Sequence, residues 1–314
     1  MPFLLSSLIL ASLTVTALAQ DVARKTAYPI ASSGQDAFFN SNGLRIHYVD
    51  RGMGEPIVLV HGLNNSIQDW VSGGVVANLS KDFRVIALDL RGHGFSEKPH
   101  DPKQYGREMG LDIVRLLDHL QIRKAHIIGY SMGAQITAQL LTTHAGRFIS
   151  AILGGGGGEF VPGVDDQNEL EKIATEYESD CISRTIALGT SAPQNRPSEE
   201  ELAKRSAACF ADPNRDRFVT AAAFRAWGQR RITKAEFAAV KVPTLGIVGD
   251  ADPAMTMMEE MQQIRPELKL VVIDGAIHQM GLERGATRRI EFVNAVREFV
   301  LQHKGRSEAS GSPQ

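Results

Sequence analysis

Four short, mostly apolar runs, Ile57–Val60, Val85–Leu88, Ala125–Ile128 and Phe148–Leu153, stand out along the first half of the chain. Ile113, Leu116, Leu117 and Leu120 recur at helical spacing before the third run, and Met132–Leu140 reads as a helix before the fourth. Runs of this length suit strands buried on both faces. Their alternation with helices is the pattern of a parallel sheet covered on both sides. Ahead of them, Ala37–Phe39 and Leu44–Val49 flank Asn42-Gly43, a strong hairpin turn signal. After Leu153 the pattern stops. From the glycine run Gly154–Gly158 to about Thr233 there is no buried strand, only polar stretches at 168–177, 198–208 and 217–229 that read as helices. The alternation resumes at Val242–Val248 and Leu268–Ile273, followed by a closing helix near Ile290–His303. The expected architecture is an α/β core over 36–153 and 234–303, a helical lid at 154–233 entered through a flexible glycine run, and a disordered polar tail at 304–314. A chain of 314 residues, 43% of them hydrophobic, can bury a full core without metals or disulfides.

The run Ala125–Ile128 leads directly into Gly129-Tyr130-Ser131-Met132-Gly133 and then into the helix. Strand, sharp turn and helix place one serine at an apex, with glycines to let the backbone turn and the hydroxyl held where a base can reach it. The five residues alone are a common match in a chain with 29 glycines; the flanking elements make them informative. A serine hydroxyl is a poor nucleophile at neutral pH and needs a base oriented by a third group. His278 lies in the loop Gly275–Met280, just past the last expected strand. Asp252 follows the strand ending at Val248-Gly249; Asp250 is its alternative and Glu159 a distant one. A helix N-cap is the plain reading of Asp252. Ser131, Asp252 and His278 all follow the C-terminal ends of expected parallel strands, where such sheets place their sites. An oxyanion needs two converging N–H donors. Met132 follows the serine, and Leu63 lies in the loop His61-Gly62-Leu63 after the first parallel strand. The other histidines are worse placed: His126 is within a strand, His144 ends a helix, His303 is near the tail, and His61 and His93 read as loop-fixing. Trp70 and Trp227 read as core or lid packing, with pocket lining as the alternative.

Together His61-Gly62, the segment Asp89–Ser96, Gly129–Gly133, Gly249–Asp252 and His278 closely resemble the α/β-hydrolase fold enzymes over about residues 36–303. The likeness is greatest to the lidded branch of esterases, non-haem haloperoxidase-like hydrolases and carbon–carbon bond hydrolases. It implies a mostly parallel eight-stranded sheet flanked by helices, with Ser131 as nucleophile, His278 as base, Asp252 as its partner and the Leu63 and Met132 amides as oxyanion hole. It also implies that Asp89–Ser96 is structural. Epoxide hydrolases and haloalkane dehalogenases of this fold use an aspartate nucleophile. Ser131 at that position argues against both chemistries.

The net charge is −2, with no long run of Lys or Arg, so neither nucleic acid nor an anionic membrane has an electrostatic footprint. No Cys/His cluster has metal-ligand spacing and no phosphate loop follows the first strand, so no metal or cofactor is expected. Phe3–Ala19 is almost wholly apolar or small and ends in Ala17-Leu18-Ala19, which reads as a secretory signal peptide cleaved after Ala19. The expected product is secreted or periplasmic, without stable membrane insertion. An uncleaved anchor is the alternative, although a stretch of about 17 residues is short of the roughly 20 that span a bilayer. Cys181 and Cys209 are the only cysteines, both in the lid, and export favours their pairing. Nothing in the sequence fixes an oligomeric state. The expected activity is that of a serine hydrolase acting through an acyl-enzyme on small apolar carboxylic esters. Lactonase, carbon–carbon hydrolase, amidase or aminopeptidase and haloperoxidase-like activities share the same residues, and a non-catalytic binding protein of the same fold is the alternative from another class.

Overall fold

The computed structural model describes residues 36–158, 167–189, 196–280 and 282–304. The leader, Glu159 and all of the expected tail but Lys304 lie outside the described residues. Strands β1 (Asp36–Ser41) and β2 (Leu44–Arg51) form the hairpin expected around Asn42-Gly43. Both turn residues are left-handed, at φ 51° and 89°, as a two-residue turn of matching twist requires. Then follow β3 (Pro56–Val60), α1 (Ile67–Ser72), α2 (Val75–Leu79), β4 (Arg84–Leu88), α3 (Arg107–His119), β5 (Ala125–Tyr130), α4 (Met132–Thr143) and β6 (Phe148–Gly154). Five helices come next: α5 (Gln167–Asp180), α6 (Arg184–Gly189), α7 (Glu199–Ala211), α8 (Arg217–Arg225) and α9 (Lys234–Ala239). The chain closes with β7 (Thr244–Gly249), α10 (Met255–Ile264), β8 (Lys269–Ile273) and α11 (Ile290–Gln302).

The eight strands make one sheet in the order β1-β2-β4-β3-β5-β6-β7-β8. Only β2 runs against its neighbours; every pairing from β4 to β8 is parallel. Why the runs are continuously apolar is visible residue by residue. Successive side chains of a strand point to opposite faces. Val58 and Val60 pack with Ile113, Leu116 and Leu117 of α3, while Ile57 and Leu59 pack with Trp70 of α1 and Phe292 and Val296 of α11. All are fully buried, and each aliphatic side chain so placed contributes about 1.5–3 kcal/mol. Trp70 is therefore core.

Helices α5 and α8 pack on each other through Leu170, Ile173, Ala174, Ala221 and Phe224. Arg225 of α8 reaches Glu171 and Glu178 of α5, and Phe224 stacks between Tyr177 and Trp227 at ring distances of 5.3 and 4.8 Å. A disulfide joins Cys181, at the end of α5, to Cys209 of α7. The glycine run differs from the flexible entry expected of it. Gly154–Gly158 are all buried, and the Gly155 amide donates to Ile247 O at 2.9 Å. A Cβ at Gly157 would stand 2.2 Å from the Met261 sulfur, and one at Gly156 3.1 Å from Ser131 O. The glycines are there because the serine corner and α10 leave no room for side chains.

Candidate active site

Sheet register brings the ends of β3, β5, β6 and β7 level: Val60 pairs with Gly129, Tyr130 with Gly154, and Gly154 with Ile247. Ser131 stands at the turn from β5 into α4 with φ 54° and ψ −119°. A positive φ in a non-glycine residue costs roughly 1–3 kcal/mol and survives only where the surroundings impose it. Here the Ser131 amide donates to Gly154 O at 2.8 Å, and its carbonyl accepts from Ala134 at 2.9 Å. The motif glycines permit the crossing: a Cβ at Gly133 would lie 2.2 Å from Val60 O, and one at Gly129 2.1 Å from Gly133 O. The serine side chain caps nothing in its own helix. Its Oγ lies 2.9 Å from His278 Nε2.

His278 is half-buried, and its Nδ1 lies 2.8 and 3.0 Å from the two carboxylate oxygens of the fully buried Asp252 side chain. The Asp252 Oδ1 also accepts from the Ala254 amide at 2.8 Å, so one carboxylate orders both the histidine and the entry to α10. Asp252 is not the helix N-cap, a position held by Ala254; its bond to the Ala254 amide fixes the turn before α10. Asp250, two residues earlier, is exposed. The loop carrying His278 is pinned on both sides: Ala251 N–H donates to Ala276 O at 3.2 Å, and Ile277 N–H to Arg284 O at 2.9 Å. Tyr130 forms the floor beside the histidine, its ring 5.7 Å from the imidazole. Burial and the Asp252 charge push the Tyr130 phenol far above its ordinary range, and its hydroxyl has no partner among the described residues.

The loop after β3 runs past the serine, with a Cβ at Gly62 falling 3.2 Å from Ser131 Cβ. Neither the Leu63 amide nor the Met132 amide is engaged in a hydrogen bond among the described residues. His61, two residues before Leu63, fixes this loop. Its Nδ1–H donates to Gly62 O at 2.7 Å, while Nε2 accepts from the Leu90 amide at 3.0 Å. Both bonds require the neutral ring, and burial holds its pKa below the ordinary value. Burial and the neighbouring His61 push His93 down to about 3.

The Asp89–Ser96 segment is held from several directions. The Asp89 carboxylate accepts from the Ile67 amide at 2.8 Å and the Phe95 amide at 2.9 Å, and it lies 2.7 Å from His47 Nδ1. Burial opposes charge on His47, yet the Asp89 carboxylate outweighs it and raises the imidazole pKa. Arg91, also buried, pairs with Asp112 of α3 at 2.6 Å. His126 and His144 lie away from the serine, within β5 and at the end of α4. Among the described residues no group of three or more His, Cys, Asp or Glu is spaced to hold a metal ion, and no helix is long and apolar enough to cross a membrane. Asn64 and Thr220 hydrogen-bond beside the serine corner; Thr220 carries no mark in the sequence, and Asn64 only the glycosylation-acceptor pattern Asn64-Asn65-Ser66, which does not point to this contact.

The geometry has close relatives. The family model described as alpha/beta hydrolase fold matches residues 55–284. The 2-hydroxymuconate semialdehyde hydrolase of Pseudomonas sp. (strain CF600) is 36% identical over 122 residues, 38% of this chain and 43% of that protein. The 3-oxoadipate enol-lactonase 1 of Acinetobacter baylyi is 28% identical over 215 residues, 67% of this chain and 77% of that protein. The chain spans less than half the length of the first curated relatives it matches, at 43%, 32% and 30%. A thermophilic esterase from Thermogutta terrifontis superposes with a TM-score of 0.67 at 22% identity, over 87% of this chain and 100% of that one. The chain belongs to the α/β-hydrolase fold family.

Proposed function

We propose that this α/β-hydrolase is a serine hydrolase that works through an acyl-enzyme on small, largely apolar carboxylic esters. The observation that carries the reading is the line of contacts from Ser131 Oγ to His278 Nε2 at 2.9 Å and from His278 Nδ1 to Asp252 at 2.8 Å. Asp252 accepts a hydrogen bond from Nδ1–H, which holds the tautomer that leaves Nε2 as the base. Ser131 Oγ attacks the acyl carbon as its proton passes to Nε2, and the carbonyl oxygen takes the negative charge between the Leu63 and Met132 amides. His278 then returns the proton to the departing alkoxide. A water deprotonated by Nε2 attacks the acyl-enzyme in the second half. The chemistry requires no cofactor.

The test is a series of p-nitrophenyl esters from acetate to octanoate, beside lactones and aminoacyl amides, with the parent chain and Ser131→Ala. The expected result is a preference for short esters and a loss of at least about 10⁴-fold in kcat for Ser131→Ala. Full activity in that variant overturns the mechanism. A cyclic ester is the second reading, favoured by the enol-lactonase of Acinetobacter baylyi, which aligns over 77% of its own length. Faster turnover of lactones than of open esters in the same series would select it.

The same proposal includes export. The apolar leader ending at Ala19 supports it, and so does the disulfide between Cys181 and Cys209, a bond that persists in oxidising compartments. N-terminal sequencing of the mature protein is expected to begin at Gln20; a start at Met1 overturns cleavage.

A further inference from the structure

The loop beneath the lid is held from outside the sheet. Residues Gly62–Asn65 close as a turn through the Asn65 N–H, which donates to Gly62 O at 3.2 Å. Asn64 sits third in that turn at φ 59°. A left-handed backbone is unfavourable for any residue with a Cβ, least so for Asn or Asp, and the turn relaxes unless something holds it. The Thr220 hydroxyl lies 3.0 Å from Asn64 Oδ1, 156 residues away, and 3.3 Å from the Asp216 carbonyl of its own helix; the shorter contact, to Asn64, takes its single proton. Thr220 is buried on α8. The neighbouring Leu63 side chain packs at once against the sheet core and against the α5–α8 cluster that includes Ala221 and Phe224. Helix α8 thus bonds to Asn64, and the cluster it forms with α5 receives the side chain of Leu63, the preceding residue.

Helix α8 is itself anchored to the core. Asp216 caps it by accepting from the Phe218 and Val219 amides, and its other oxygen lies 2.9 Å from His100 Nε2. Val219 fills the space over Gly92, 2.5 Å from where a Cβ would stand. The helix is a fixed strut between the Asp89–Ser96 segment and the loop after β3.

We propose that Thr220 is a positioning residue. Its hydroxyl fixes Asn64, and through that turn the direction of the Leu63 N–H, so α8 belongs to the oxyanion site as well as covering it. This rests on the serine-hydrolase reading above. Oxyanion donors act by being aimed in advance at the developing charge, and deleting one costs about 10²–10³ in kcat. A donor left in place but loosened costs less. Thr220 does not touch the reacting atoms, so ground-state binding is spared.

The test compares Thr220→Val, which keeps the shape and loses the hydroxyl, with Thr220→Ser, which keeps the hydroxyl. Ser131→Ala is run alongside. p-Nitrophenyl butyrate is the substrate, and a fluorophosphonate titration counts competent sites so that misfolded protein does not enter kcat. The expected result for Thr220→Val is a fall in kcat of about tenfold with KM within about twofold, while Thr220→Ser retains at least about half of the parent kcat. Affinity for a trifluoromethyl ketone, which mimics the tetrahedral oxyanion, is expected to fall in step with kcat/KM. An unchanged kcat in Thr220→Val, or an equal loss in Thr220→Ser, overturns the positioning role. If Ser131→Ala still turns over the ester, the serine-hydrolase reading itself fails; if it is inactive while Thr220→Val is unaffected, only the positioning role falls.

Discussion

The serine corner and the lid are held by different means. Ser131, Asp252, His278 and the loop carrying Leu63 each follow the end of a parallel strand, so the sheet, backbone hydrogen bonds and close-packed glycines set where they start, and a few buried side chains finish the placement. Helices α5, α7 and α8 are held instead by side chains: a three-ring stack, the Arg225 ion pairs and the Cys181–Cys209 disulfide. Where backbone contacts set geometry, an added methyl group has nowhere to go. Where side chains set it, substitution alters stability or specificity without dismantling the fold. The proposed chemistry resides in the first region, and α8 reaches from the second region to the first.

The largest expected effect breaks the corner. Gly133→Ala places a Cβ 2.2 Å from Val60 O and 2.7 Å from His61 O, both backbone atoms of a fixed strand end. The expected cost is about 4 kcal/mol or more, read by chemical denaturation. In Gly228→Ala, on the lid side, the nearest atom to the new Cβ is a Gln167 side-chain nitrogen at 3.8 Å, and stability is expected to move by no more than about 0.5 kcal/mol. Equal losses in the two variants would erase the distinction.

Next comes the disulfide, which closes a separation of 28 residues. Replacing Cys181 and Cys209 by serine is expected to cost the lid about 3–4 kcal/mol by the chain-entropy account. Limited proteolysis is expected to find its first new cuts between 182 and 208, with the sheet intact. First cuts in the sheet would contradict the division.

Acid acts on the core side. His61 and His93 both have pKa values lowered by burial, so below pH 6.5 the unfolded chain takes protons that the folded chain refuses. Stability is therefore lost as pH falls, by about 1.4 kcal/mol per pH unit from His93 once the unfolded form is protonated, with a contribution of the same sign from His61. His47 has the opposite sign. Its pKa is raised, so its contribution is fully present below pH 6.5 and fades only as pH rises through the folded value. Unfolding free energies between pH 6.5 and 5 are expected to fall, with a shallower slope in His93→Asn. A slope unchanged by that substitution would refute the assignment. The smallest effect belongs to Arg225→Gln, which removes partly exposed ion pairs to Glu171 and Glu178 and is expected to cost no more than about 1 kcal/mol.

The same division explains what could be read in the sequence. Strand ends announce themselves, because a buried parallel strand needs a continuous apolar run and a sharp crossing needs glycine. Ser131, Asp252 and His278 were legible for that reason, and the structure brings the three together. Sequence leaves Asp250 as an alternative to Asp252; the burial of Asp252 and its bonds to His278 and Ala254 separate the two only in three dimensions. The glycine run Gly154–Gly158 was misread as a flexible entry because glycine permits both mobility and close packing, and only the neighbours decide which. The pairing of Thr220 with Asn64 has no sequence signal, since a polar residue on a helix and an asparagine in a loop acquire this meaning from a contact 156 positions away. The lid's stack of Tyr177, Phe224 and Trp227 left no periodic signal to distinguish it from ordinary packing.

The most direct test of the account is to treat the folded protein with a fluorophosphonate and map the adduct by peptide mass spectrometry. The account predicts one label per chain, on Ser131, with loss of esterase activity in proportion to labelling and no label in Ser131→Ala. An active enzyme that takes no label, or takes it on another residue while Ser131 stays free, would contradict it.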